Sequence, residues 1–176
     1  MEERLFSKRF GPLIIGSLLI LVLDQYTKYL IRQNMGLYTS APIIDGFFNL
    51  THIANPGVAF GIGARVQGEW LKRLFILVSV VAVAILIAVY REVEAKEPFL
   101  KTGLIFICGG ALGNLIDRFM MGEVTDFLDF YWGRHHWPAF NVADSCISIG
   151  IGIIITSWIL SSFRGAHHQS ASDGEK

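Results

Sequence analysis

The sequence predicts an all-α membrane protein, a bundle of four transmembrane helices with a small β-sheet region over about residues 37–65. Three observations carry this. The chain is 52% hydrophobic and only 17% charged, with mean hydropathy +0.47, too apolar for an ordinary soluble domain. Its apolar residues are gathered into blocks at 11–31, 74–90, 99–121 and 142–163, each close to the ~20 residues that cross about 30 Å of hydrocarbon. The stretch 37–65 is rich in Phe, Tyr and Ile, but Asp45-Gly46 and Pro56-Gly57 interrupt it, so it reads as short strands and turns.

The basic residues Arg4, Lys8 and Arg9 precede the first block, as in a secretory signal peptide. No small-x-small cleavage site follows, so the block is read as a retained helix over 11–31 that continues past Asp24. Asp24 and Lys28 are spaced i, i+4 and share a helix face. They could form an interfacial ion pair at the helix end or prop a functional loop. In the turn Asn55-Pro56-Gly57, Asn55 serves first as a turn residue, and Gly61 and Gly63 add flexibility after it.

The second helix, over 72–90, has Ser79 as its only polar side chain before Tyr90 and reads as a packing helix without chemistry. The charged turn 91–98 suits a tight antiparallel helix pair. The third helix, 99–121, carries Gly103, Gly109, Gly110, Ala111 and Gly113, small residues that let helices approach closely in membranes. Asn114 lies on one face with Asp117 and Arg118, although the latter two are neighbours and point different ways. An exposed, aromatic loop is expected over 122–140, with Trp132 and Trp137 at the membrane interface. The fourth helix covers 142–163, and 165–176 reads as a polar, unstructured tail.

The whole chain reads as one unit, with little room for a second domain. Formal net charge is zero, so no nucleic-acid surface is implied. Cys108 and Cys146 fall inside apolar blocks, and His135-His136 lacks the spacing of a helical zinc pair, so no metal and no cofactor are expected. Lys and Arg divide almost evenly between the two sides of a four-span topology; the N-terminal cluster favours cytoplasmic termini.

Chemistry concentrates between Gly109 and Asp144, where two apolar segments meet water. Ionisable groups near a bilayer are costly and therefore functional candidates. Asp126 and Asp144 belong at the same membrane face, because one helix leaves there and the next enters. Two carboxylates in contact cannot both ionise easily. One keeps a proton and the other acts as a base, which suits activation of water against an amide. Asp144 has a structural alternative: with Asn141 as N-cap it sits at N3 and reaches back to the cap. By spacing alone, Asp129 competes with Asp126.

Five ordered motifs then point to a family. Asp24-Gln25-Tyr26-Thr27-Lys28, Asn55-Pro56-Gly57-Val58-Ala59-Phe60, the segment Gly109-Gly110-Ala111-Leu112-Gly113-Asn114-Leu115-Ile116-Asp117-Arg118, Val124-Thr125-Asp126-Phe127 and Phe140-Asn141-Val142-Ala143-Asp144-Ser145 resemble the boxes of the lipoprotein signal peptidases (signal peptidase II). The resemblance implies an aspartic endopeptidase of the bacterial inner membrane, multi-pass, with its site and the sheet toward the periplasm. It would cut a diacylglyceryl-modified prolipoprotein just before the lipidated cysteine. It implies Asp126 and Asp144 as the catalytic dyad, over Asp129. Asn55, Gly110, Asn114, Arg118 and Asn141 would line the substrate site; a lipidated peptide held at membrane level further suggests that Asn114 and Arg118 bind its carbonyls while the dyad holds water. Asp24, Lys28 and Asp117 would support it. The expected partners are membrane lipids and lipidated prolipoproteins, with no nucleic acid and a monomeric enzyme.

Two other classes compete. A proton-coupled carrier would use Asp24, Asp117, Asp126 and Asp144 as a relay through the membrane. A non-catalytic assembly factor would use the glycines for packing alone.

Overall fold

The computed structural model describes residues 2–57, 69–94 and 96–173. Four long helices dominate it: α1 (Glu2–Asn34), α2 (Glu69–Glu92), α3 (Pro98–Met121) and α4 (Val142–Asp173). Each contains a stretch long and apolar enough to cross a bilayer, namely Arg9–Asn34, Glu69–Glu92, Pro98–Met121 and Val142–Ser161. At about 1.5 Å per residue, α2 and α3 each run about 36 Å, enough to span hydrocarbon. Leu18, Leu19, Leu77, Val78, Ile151 and Ile155 all point outward, as bilayer-facing side chains must. The segment from Gly165, expected as an unstructured tail, continues α4 as far as Asp173. The expected flexibility at Gly61 and Gly63 lies outside the described residues.

Helix α3 sits at the centre and packs against the other three. Its glycines make this possible. A Cβ on Gly110 would run into the Ala143 carbonyl oxygen of α4, and one on Gly109 would lie 2.7 Å from Ile20 of α1. Without a hydrophobic driving force between helices in lipid, such backbone approach is a main source of association. The helix begins with Pro98 and ends at Gly122, whose left-handed φ of 79° lets its N–H reach back to the Arg118 carbonyl.

The two ends of the bundle differ in character. At the end holding the start of α1 and the end of α4, Leu13, Tyr90, Val93, Leu104 and Cys108 form an apolar core. At the other end the buried side chains include Asp24, Lys28, Asn114, Asp117, Asp126 and Asn141.

A four-stranded antiparallel sheet, ordered β1-β2-β3-β4, covers that polar end: β1 (Ser40–Ile44), β2 (Phe48–Asn55), β3 (Val124–Trp132) and β4 (His135–His136). The sheet is larger than the sequence suggests, because 122–140 is not an exposed loop. It holds β3, which pairs with β2 from Phe48↔Phe130 to Asn55↔Val124. Val124, Thr125, Asp126 and Phe127 are all buried, so β3 is covered on both faces and shows no alternation of polar and apolar residues. Phe140 then folds back on the strand, its carbonyl accepting from the Phe127 and Leu128 N–H groups at 2.9 and 2.8 Å. Phe48, Phe130 and Phe140 stack, with centroids 4.7 and 5.8 Å apart. This clasp holds the start of α4 beside β3. Trp132 and Trp137 are exposed at the far end of the sheet.

Candidate active site

The site rests on a buried ion network. Asp24, Lys28 and Arg32 recur at four-residue spacing on one face of α1. The Lys28 ammonium lies 2.8 Å from Asp24 Oδ2, 2.9 Å from Asp117 Oδ2 and 3.0 Å from Asn114 Oδ1, so all three of its N–H donors are used. Both carboxylates are fully buried and accept further bonds. Asp24 Oδ1 takes the Ala143 N–H in the first turn of α4 at 2.9 Å. Asp117 takes the Thr125 N–H of β3 at 3.2 Å and the Gln25 amide at 3.0 Å. Arg32 adds a 3.1 Å bond to the Thr125 hydroxyl. A buried ion pair holds only when its remaining lone pairs and protons are satisfied. Here that satisfaction ties α1, α3, β3 and α4 together.

The network also sets the orientation of Asn114. An ammonium can only donate, so Lys28 holds the Asn114 oxygen toward itself and turns the amide nitrogen the other way. That nitrogen donates to Asp144 Oδ1 at 2.7 Å. Asn141 and Asp144 close a reciprocal cap at the start of α4. The Asp144 N–H donates to Asn141 Oδ1 at 3.0 Å, and Asp144 Oδ2 accepts the Asn141 N–H at 3.3 Å. The capping geometry therefore coexists with a second environment for the same carboxylate.

Asp126 faces this pair from β3. Its Oδ1 accepts from Asn141 Nδ2 at 2.7 Å and its Oδ2 from Asn55 Nδ2 at 2.8 Å. Asn55 is fixed in turn, because its oxygen accepts the Gly57 N–H at 2.8 Å. The turn role and the site role of Asn55 are thus one arrangement. The Asp126 carboxyl is pushed from its ordinary 3.8 up to about 6. Burial is the main cause; the Asn55 hydrogen bond opposes it, and the neighbouring Asp144 charge adds to it.

Asp129 is placed elsewhere. Three residues along a strand lead to the opposite face, where Asp129 meets Asn49 at 2.9 Å and His136 at 2.8 Å. Gly110 lies buried in the α3–α4 crossing, where its missing side chain admits the Ala143 backbone; it shapes the site from behind. Arg118 stands at the rim. Its Nη1 reaches the Asn114 carbonyl and the Ser79 hydroxyl, each at 3.4 Å, while its Nε is buried without a partner among the described residues.

Arg32, Gln25 and Thr125 were not singled out by spacing or charge, yet they complete the network. The four-residue repeat Asp24, Lys28, Arg32 was the available signal. Ser79 was read as having no chemistry, and nothing in its apolar surroundings marks it otherwise.

Fold and site together define a class: a multi-pass membrane protein that gathers buried carboxylates and amides at one end of its bundle. A family model described as signal peptidase (SPase) II matches residues 16–160. The lipoprotein signal peptidase of Maridesulfovibrio salexigens is 47% identical over 144 residues, covering 82% of this chain and 92% of its own. That of Geobacter sulfurreducens is 46% identical over 157 residues, covering 89% and 95%. A solved bacterial membrane enzyme superposes with a TM-score of 0.75 at 31% identity, covering 86% of this chain and 90% of that one. The chain belongs to the signal peptidase II family and is a multi-pass protease of a bacterial membrane.

Proposed function

We propose that this chain is an aspartic endopeptidase that removes the signal peptide from diacylglyceryl-modified prolipoproteins, cutting just before the lipidated cysteine. The observation that carries the reading is the Asn141 bridge: one side chain bonds Asp126 and caps the helix that holds Asp144. In the reaction, a water held by the pair attacks the scissile carbonyl carbon and gives a proton to the ionised carboxylate. The protonated carboxylate supplies a proton to the leaving nitrogen as the C–N bond breaks, so the pair ends with one proton as it began. Asn55 and Asn141 hold Asp126; Asn114 orients Asp144. Arg118, whose Nε has no partner among the described residues, is the donor for a carbonyl of the bound peptide. The substrate stays anchored in the bilayer by its lipid, with cytoplasmic termini and the sheet on the periplasmic side. One chain provides the full set of groups.

The carrier reading fits less well. Asp24, Asp117, Asp126 and Asp144 all belong to the polar end, and the other end is closed by Leu13, Tyr90, Val93, Leu104 and Cys108. A relay needs groups through the depth of the membrane.

The test uses purified protein and a lipidated precursor peptide, read by mass. Wild type yields the shortened, cysteine-initiated product. Asp126→Asn and Asp144→Asn each lower the rate by about a thousandfold or more, while the melting transition in detergent persists. Full activity in either folded variant refutes the dyad. Uncut peptide with active-site-intact protein refutes the hydrolase itself.

A further inference from the structure

Among the described residues, helix α2 meets Arg118 through Phe75 and Ser79. Phe75 and Ser79 are spaced i, i+4 on the face that meets α3. The Phe75 ring lies 6.0 Å from the Arg118 guanidinium carbon, within the range in which a cation is attracted to an aromatic face. The Ser79 hydroxyl donates to the Phe75 carbonyl at 2.8 Å, which leaves its lone pairs free to accept Arg118 Nη1 at 3.4 Å. The same ring packs against the Asn55–Gly57 turn: a Cβ on Gly57 would come within 2.9 Å of it. Gly57 is also the residue whose N–H fixes Asn55.

We propose that Phe75 and Ser79 are positioning residues that hold the Arg118 guanidinium against the backbone of the bound peptide. Three features meet in this reading. Arg118 is long and has many rotamers. Its Nη1 is held on one side by α2 and on the other by the Asn114 carbonyl. Its Nε is buried and has no partner among the described residues, which is costly for so polar a group unless a ligand completes it. A peptide carbonyl is the acceptor a protease substrate supplies. The proposal rests on the reading of Arg118 as a substrate donor.

The experiment measures KM and kcat for cleavage of the lipidated precursor peptide by full-length enzyme in detergent. Phe75→Leu raises KM about three- to tenfold, the size of an exposed to half-desolvated cation–π contact, and leaves kcat within about twofold. Phe75→Tyr, which keeps the ring, restores KM. Ser79→Ala raises KM about threefold, and it carries the test alone if Phe75→Leu yields no folded enzyme. In an Arg118→Lys background, which keeps charge but loses the planar fork, Phe75→Leu adds nothing further. If Arg118→Lys raises KM while Phe75→Leu and Ser79→Ala do not, the positioning role is overturned and the donor reading of Arg118 survives. If Arg118→Lys leaves KM unchanged, the donor reading fails and takes the proposal with it.

Discussion

The side-chain amide of Asn141 donates to Asp126 Oδ1 at 2.7 Å, and the same residue is the N-cap of the helix that bears Asp144. A strand carboxylate and a helix carboxylate are therefore brought together by one asparagine, not by direct pairing. Rotating Asn141 would detach Asp126 and uncap α4 at once, so the site and the helix start form one unit.

This unit has a pH signature. The Asp126 carboxyl titrates at about 6 in the folded protein against an ordinary 3.8, mainly because it is buried. The folded state thus binds this proton more tightly than the unfolded chain. The associated stability is fully present below about pH 3.8 and is lost as pH rises toward about 6, on the order of 3 kcal/mol. Melting temperature should decline across that window in wild type, and the decline should be absent in Asp126→Asn. Cleavage should share the group: kcat/KM falls on the alkaline side with an apparent pKa near 6, measured over buffers from pH 4 to 8.

Lys28 neutralises two fully buried carboxylates and aims Asn114. Lys28→Met should destabilise by about 3–5 kcal/mol, because Asp24 and Asp117 are left buried without their cation. Adding Asp24→Asn and Asp117→Asn to Lys28→Met should recover part of that loss. Thermal denaturation of the three proteins checks the order. Equal stability of wild type and Lys28→Met would contradict the network.

Gly110 and Gly152 give a matched pair. A Cβ at Gly110 meets the Ala143 carbonyl, whereas at Gly152 it meets nothing within 4 Å. Gly110→Ala should cost about 1–3 kcal/mol by overpacking the α3–α4 crossing and should lower cleavage by displacing Asp144 and Asn114. Gly152→Ala should match wild type in both melting and turnover.

Asp129 separates the two candidate acids of β3. Its carboxylate is bound to Asn49 and His136, away from Asn141. Asp129→Asn should keep cleavage within about threefold of wild type, where Asp126→Asn loses about a thousandfold. A comparable loss in both would place the chemistry on the wrong face of the strand.

Local spacing made much of this readable. Helix periodicity brings Asp24 next to Lys28 and Asn141 next to Asp144, and both contacts occur at i+4 and i+3. Block hydropathy marked the four spans. By contrast, 122–140 read as a loop because Asp126 and Asp129 interrupt its apolar run. Its strand partner, β2, lies some seventy residues earlier in the chain.

The one-dimensional order of residues was enough to determine a four-span membrane protein of this family, its candidate acids and the contacts within each helix turn, because these depend on neighbours three or four positions apart. Only the folded chain decided that Lys28 reaches from α1 to Asp117 and Asn114 of α3, that β3 holds Asp126 and Asp129 on opposite faces with different partners, and that Ser79 and Phe75 of α2 meet Arg118. Those meetings come from helix packing and strand pairing, whose partners are set by shape and burial across long separations and not by the spacing of residues along one element.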